Sequence, residues 1–544
     1  MRQETSQTDP LAQHDRYKGD RGHLCDGQMA PRAHTRRIVG TYMPPTARRY
    51  NRPQGPWHVP TLDQLGSRLS GEVVDGRSRL SPDQLEALVA TVAGGLAKAG
   101  ARRYTAVSWQ LPNSLLALVL YRACWRIGAV ASPVHHSMGS SEVSASLEQV
   151  QPSVVLEAPK RALSDPVAIA ELFGGAPVPS GAVRSQPFDP AVVLFTSGST
   201  GSPKAVLHTN RSLACKALLM SKVHEVDAAD AVLMPAPLAH VSGLLNGVLL
   251  PGACAMRSVL MGRFDPVEAL ELVQREHITF MAGPPTFFVS MTAALSDSGD
   301  APRSVSSLRL ISTGGASVTP AFVQTTAEAF SCRVKRTYGS TEAPTITTSL
   351  STDPISAARD TDGRALGEVE LRITDPLTGK QLSPGDQGEL VVRGPELFAG
   401  YVDKDQTLAS IARGGWFRTG DLATLDPDGW LKIAGRLKDL IIRGGENIPA
   451  AQVEAVLESH PSVRQAVVVG YPDELMGERV AAFVVLQGEF SLDMCREWFK
   501  KQGVARFKAP ERIVTLDHLP LLGSGKPDRA KLAKLAACDI PWSP

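Results

Sequence analysis

Residues 194–204 read Leu-Phe-Thr-Ser-Gly-Ser-Thr-Gly-Ser-Pro-Lys. An apolar run from Ala191 to Phe195 ends in Thr196, Ser197, Gly198, Ser199, Thr200 and Gly201, and Lys204 follows after Ser202 and Pro203. Small residues let backbone N–H groups approach an anion closely, while the hydroxyls and the lysine add further donors. That chemistry suits phosphate oxygens. A Walker-type loop would need Gly-Lys-Ser/Thr and a helix starting there. Pro203 before the lysine and Ala205 after it exclude that pattern. A Gly/Ser linker would not be flanked on both sides by apolar runs.

Further segments carry residues suited to binding and activation. They are Pro-Leu-Ala-His at 237–240, Ser-Thr-Gly-Gly-Ala at 312–316 and Tyr-Gly-Ser-Thr-Glu at 338–342. Gly-Glu-Leu-Val-Val-Arg-Gly-Pro follows at 388–395 and Trp-Phe-Arg-Thr-Gly-Asp-Leu at 416–422. Gly-Arg-Leu-Lys-Asp-Leu-Ile at 435–441 leads into Arg-Gly-Gly-Glu-Asn-Ile at 443–448, and Gly-Ser-Gly-Lys lies at 523–526. In order and spacing this set resembles the adenylate-forming superfamily of acyl- and aryl-CoA ligases, peptide-synthetase adenylation domains and luciferases. The resemblance covers roughly residues 60–540 and is nearest to an acyl- or aryl-CoA ligase.

It implies an ATP-dependent carboxylate–CoA ligase with ATP, Mg2+ and coenzyme A as cosubstrates and cofactor. A carboxylate would attack the α-phosphate and a thiol would then attack the activated carbonyl. Both nucleophiles come from substrates, so the chain must supply donors and a cation rather than a catalytic triad. No Gly-x-Ser-x-Gly elbow occurs. By resemblance, Thr196 to Lys204 would hold the β- and γ-phosphates, Thr341 the α-phosphate, and Glu342 the magnesium. Gly314, Gly315 and Ala316 would face adenine opposite Tyr338 and Gly339. Asp421 would accept from the ribose hydroxyls and Arg436 would donate to ribose or phosphate. Lys526 would drive adenylation, Lys438 would be the hinge, Gly444 and Gly445 would line a pantetheine tunnel, and His240 would gate the acyl pocket.

Departures from the usual pattern are Ala205 in place of glycine, Asn210 in place of histidine, and Ala239 in place of an aromatic residue. Ala450 holds the usual proline position, with Pro449 one place earlier, and Gln452 stands where an acid is usual. A positive φ at 205 would strain alanine. These departures motivate a rival that performs only the thioester half from a supplied acyl-adenylate. Other rivals load a carrier protein, or bind nucleotide without catalysis; intact Glu342, Asp421, Arg436 and Lys526 oppose the last. The stretches around 240–247, 312–315 and 339–345, with Leu244, Leu245, Gly247, Gly339 and Thr345, are small or apolar and suit an apolar or aryl acid.

The elements that must position these residues follow an alternating pattern. Residues 82–99 repeat apolar side chains at helical spacing, 105–110 and 154–156 read as strands, and Asn113 reads as the cap of a helix to about Ile127. Parallel sheets covered by helices follow. Residues 389–393 and the Asp-Pro-Asp-Gly turn at 426–429 read as antiparallel hairpins, and about 440–540 reads as a compact α+β segment. The expected fold is therefore α/β: a large N-terminal domain of parallel sheets covered by helices, with a small β-barrel-like part, and a small mobile α+β C-terminal domain. The expected divisions are a polar, disordered extension at 1–55, the adenylate-forming domain at 56–437 and the mobile domain at 438–544.

A chain of 544 residues with 43% hydrophobic and 21% charged content suits more than one soluble domain. The net charge of +2 gives no reason to invoke nucleic acid or a membrane surface. Cys25, Cys124, Cys215, Cys254, Cys332, Cys495 and Cys538 show no paired spacing, which fits a reducing cytoplasm. The uncharged stretch 231–256 is interrupted by Pro235, Pro237, His240 and Asn246 and reads as a buried strand and helix. The expected partners are a small carboxylic acid, ATP and CoA, with a homodimer left open.

Overall fold

The computed structural model describes residues 59–196, 203–296, 304–316, 318–444, 446–521 and 527–537. The expected extension at 1–55 lies outside them. Among the described residues, two largely parallel sheets form the N-terminal part. In the larger, Arg333–Tyr338, Leu310–Gly314, Phe280–Gly283, Ala231–Met234, Arg257–Leu260 and Val73–Asp75 run side by side in parallel, with short antiparallel strands at both edges. In the smaller, Val154–Leu156, Ala106–Trp109, Val130–Pro133 and Pro190–Thr196 are parallel, and Lys204–Thr209 returns antiparallel. Strands buried on both faces read as continuous apolar runs, which is why Ala231–Met234 and Phe280–Gly283 are wholly buried.

Helices cover the sheets. Pro82–Lys98 starts at a Ser81 capping box with proline in the first turn and buries Leu85, Leu88, Val89, Val92 and Leu96. Leu115–Arg126 is buried along its whole length. Its cap is Ser114, whose hydroxyl accepts from the Ala117 N–H, and not Asn113. The Asn113 amide instead donates to Met234 O and Ala236 O and accepts from Leu238 N–H at 2.7 Å. Those buried main-chain groups, more than 120 residues downstream, outcompete the local cap. None of the described helices is long and apolar enough to cross a membrane.

A third, antiparallel sheet of Glu370–Thr374, Gly388–Arg393, Trp416–Leu425, Ile411–Ala412 and Leu431–Arg436 forms the barrel-like part. The Asp426–Gly429 turn joins two of these strands as expected, with Asp426 Oδ1 accepting from the N–H groups of Asp428 and Trp430. Leu437–Asp439 is a single 3₁₀ turn leading to the C-terminal sheet. That sheet pairs Glu446–Pro449, Leu440–Arg443, Gly477–Leu486 and Val463–Asp473, with Arg512–Thr515 parallel at its edge. Its own core includes Ile441, Ile448, Val453, Leu457, Val468 and Phe499.

Candidate active site

The two N-terminal sheets and the barrel-like part deliver their strand ends to one region. Lys204 opens the strand that pairs with Pro190–Thr196, opposite Thr196 itself. Its ammonium lies 5.3 Å from the ring centre of Tyr401, within cation–π range. The Tyr401 hydroxyl donates to Glu342 Oε1 at 2.7 Å. Burial first, then the Glu342 carboxylate, push the Tyr401 hydroxyl far above its ordinary pKa, so it stays a donor. Lys204, Tyr401 and Glu342 thus form one chain of contacts. Ser197, Gly198, Ser199, Thr200, Gly201, Gly445 and Lys526 lie outside the described residues.

Gly314 ends its strand opposite Thr337. A Cβ there would sit 1.9 Å from the Thr337 carbonyl oxygen, so only glycine permits this pairing. Gly315 follows at φ +77°, and both it and Ala316 are exposed. Next to this shelf, the Tyr338 hydroxyl donates to Asp421 Oδ2 at 2.5 Å. Burial, then Asp421, push the Tyr338 hydroxyl well above its ordinary pKa. Arg436 stands directly across the strand pair from Asp421, with Nε 3.0 Å from Oδ1. The flat glycine shelf, an aromatic ring and a buried carboxylate held by tyrosine and arginine form a surface that fits an aromatic base and a diol. Glu342 is a half-buried carboxylate linked through Tyr401 to Lys204, the kind of oxygen donor a hard divalent cation takes together with phosphate.

The segment from Tyr338 to Ile346 closes on itself: Ile346 N–H donates to Tyr338 O at 2.9 Å, and Ser340 N–H to Ala343 O at 3.0 Å. A Cβ on Gly339 would lie 2.3 Å from Thr345 N, so the turn needs glycine there. His208 Nε2 donates to Thr341 O at 2.7 Å from the strand behind. The histidine was not legible as a site residue, since its target is 133 positions away. Burial lowers its pKa to about 4, so it is neutral at pH 7.

With a folded pKa near 4 and an ordinary value of 6.5, the unfolded chain takes up the proton first. His208 therefore contributes full stability above pH 6.5, and the contribution is lost as pH falls towards 4. The His208→Gln variant keeps a donor and removes the titration. Its urea midpoint should fall less than that of the unmutated chain between pH 7.5 and 5, by the equivalent of about 2 kcal/mol. Parallel pH dependences would contradict the assignment.

His240 caps the helical turn Val241–Gly243, its Nδ1 accepting from the Ser242 N–H at 3.3 Å. The chain continues as a π-helical turn, Leu244–Leu249, a form concentrated at functional sites. Leu244 and Leu245 are buried. Gly247 is a packing glycine rather than open pocket floor: a Cβ there would meet Met234 Cγ at 2.7 Å.

Ala205 is buried in an ordinary strand, paired with Phe195, and is not among the residues of positive φ. The strain that glycine-to-alanine would bring to a left-handed position does not arise. Ala205→Gly should consequently give no gain in adenylation and should cost about 0.5–1 kcal/mol of stability. ATP–pyrophosphate exchange and thermal melting check both; a several-fold faster exchange would show that alanine impairs the loop. Asn210, the second departure, is also absorbed: its side-chain oxygen accepts from Leu62 N–H at 3.2 Å and its amide faces Asp189 O.

Lys438 lies in the 3₁₀ turn between the barrel-like part and the C-terminal sheet. Gly444 has φ +57° and its N–H donates to Met476 O at 2.7 Å; a Cβ would lie 2.7 Å from Met476 Cε. The described part of this loop packs on its own domain.

Residues 69–402 match the AMP-binding enzyme family and 452–526 its C-terminal domain. The chain belongs to the AMP-binding enzyme family. It is 32% identical over 462 residues to the medium-chain fatty-acid–CoA ligase of Escherichia coli, covering 79% of this chain and 81% of that one. It is also 32% identical over 486 residues to the indoleacetate–CoA ligase of Aromatoleum aromaticum, covering 84% and 93%. The ATP-bound MatB structure from Rhodopseudomonas palustris superposes with a TM-score of 0.79 at 26% identity, covering 88% of this chain and 99% of that one. The protein is an acyl-CoA synthetase with the adenylate-forming fold, as the motifs implied. Dependence on ATP, CoA and Mg2+ is general in this family, and its reaction is ATP-dependent ligation of a carboxylic acid to CoA.

Proposed function

We propose that this chain carries out both halves of carboxylate–CoA ligation at the region where Lys204, Tyr338, Thr341, Glu342, Asp421 and Arg436 meet, and that its acid is apolar or aryl. The observation that carries the reading is the convergence of the glycine shelf, the Tyr338–Asp421–Arg436 cluster and the Lys204–Tyr401–Glu342 chain. Adenine would lie on Gly314–Ala316 opposite Tyr338 and Gly339. Asp421 would accept from the ribose hydroxyls, and Arg436 would donate nearby. Thr196 to Lys204 would hold the β- and γ-phosphates, and Thr341 the α-phosphate. Glu342 would ligate magnesium, which neutralises phosphate charge when bound.

The substrate carboxylate then attacks the α-phosphorus and pyrophosphate leaves. Lys526 would place its ammonium between the two repelling anions. In the second half the CoA thiolate attacks the carbonyl and AMP leaves, with the thiol reaching it past Gly444 and Gly445 and His240 gating the acyl pocket. We place the division between the domains at 437/438, with Lys438 as the pivot. The uncharged Leu244, Leu245 and Thr345 favour an acid without an ammonium. Acid-dependent ATP–pyrophosphate exchange across aliphatic, aryl and amino acids tests this, alongside preformed acyl-adenylates supplied with CoA. Exchange with apolar or aryl acids supports the reading. Exchange confined to amino acids would overturn the substrate class.

A further inference from the structure

The turn after Tyr338 contains an anomaly. Thr345 has φ +40°, a left-handed backbone that L residues avoid and β-branched ones avoid most. Such a conformation persists only where the surroundings over-determine it. Its carbonyl accepts from Lys216 Nζ at 2.9 Å. Lys216 belongs to the Asn210–His224 helix, its side chain is wholly buried, and its nearest counter-charge is Glu396 Oε1 at 3.8 Å, also buried. Burial lowers the lysine's pKa and Glu396 opposes that shift.

Burying an ammonium is costly unless it is paired and hydrogen-bonded. Here that cost is spent at the back of the turn bearing Thr341 and Glu342. Three main-chain carbonyls of this turn are held from other elements. Thr341 O is held by His208, Glu342 O by Phe398 N–H at 2.8 Å, and Thr345 O by Lys216. Of the three, only the lysine acts on the strained residue.

We propose that Lys216 is a positioning residue: by holding the Thr345 carbonyl it fixes the left-handed backbone that keeps Thr341 and Glu342 turned to the nucleotide. The inference rests on the assignment of those two residues to phosphate and magnesium. If Lys216 acts by maintaining strain at 345, then removing the strain makes the lysine largely dispensable.

The test uses the full chain and two readouts, the dissociation constant for Mg·ATP by calorimetry and the KM for ATP in acid-dependent exchange. Lys216→Met is combined with Glu396→Gln, so that no carboxylate is left buried alone. This pair should raise both constants about 10-fold or more with a smaller change in kcat, and adding Thr345→Gly should recover most of the loss. Lys216→Gln, shorter but still a donor, should be intermediate and serves if the methionine pair does not fold. Unchanged Mg·ATP affinity in the lysine variants would overturn the proposal. So would losses on which Thr345→Gly has no effect, which mark a lysine that only supports the fold. The calorimetric arm stands even if no acid supports exchange, so failure of the ligase reading and failure of this one are distinguishable.

Discussion

Lys526→Ala is expected to slow adenylation by about 10²–10³-fold, the usual cost of deleting one preorganised donor to a charge that develops in the transition state. Conversion of a supplied acyl-adenylate to thioester should stay near the unmutated rate if, as proposed, the ammonium acts only while two anions are being joined. The flanks of Lys526 are tied to the C-terminal domain. Leu521 bridges Pro527, and Asp528 N–H donates to Pro520 O at 2.8 Å. Arg529 is bound to Val468 O at 2.7 Å and Glu454 at 2.7 Å. Truncating the lysine's side chain leaves these flanking anchors untouched. Equal loss in both half-reactions, measured by pyrophosphate release and by acyl-CoA formation from adenylate, would remove it from this role.

Asp421→Ala should be nearly as severe but different in kind. The carboxylate is 3% exposed and holds both Tyr338 and Arg436. Two hydrogen bonds to the ribose diol through a charged acceptor are worth about 3 kcal/mol together, or about 10² in kcat/KM for ATP. The loss should appear mainly in KM, since the ribose does not react. Asp421→Asn, which keeps the shape and loses the charge, should fall between. Unaltered KM for ATP in the alanine variant, with the fold intact by melting, would place the nucleotide elsewhere.

Much of this architecture was legible in the residues. The alternation of apolar strands with helices, the turn at 426–429 and the ordered motifs all lead to the observed sheets and to the strand ends that carry Gly314, Tyr338, Asp421 and Arg436. What escaped were groups whose partners are remote in sequence. Tyr401 meets Glu342 across 59 positions, and Lys216 meets Thr345 across 129. No local periodicity encodes such pairs. Asn113 departs from a local cap for the same reason, because its amide serves main-chain groups far along the chain. The alarm raised by Ala205 came from assuming a left-handed backbone. Among the non-glycine residues of positive φ the structure has Thr345 in the turn bearing Thr341 and Glu342, where the residue type gives no warning.

The most direct test of the central claim is a single-turnover experiment with an acid that supports exchange, enzyme in excess over ATP and no CoA. One pyrophosphate should appear per ATP, with AMP retained as enzyme-bound acyl-adenylate. Adding CoA should then release AMP and acyl-CoA in equal amounts. Absence of pyrophosphate with every acid, while supplied acyl-adenylates are still converted to thioester, would contradict the account and leave only the second half-reaction to this chain.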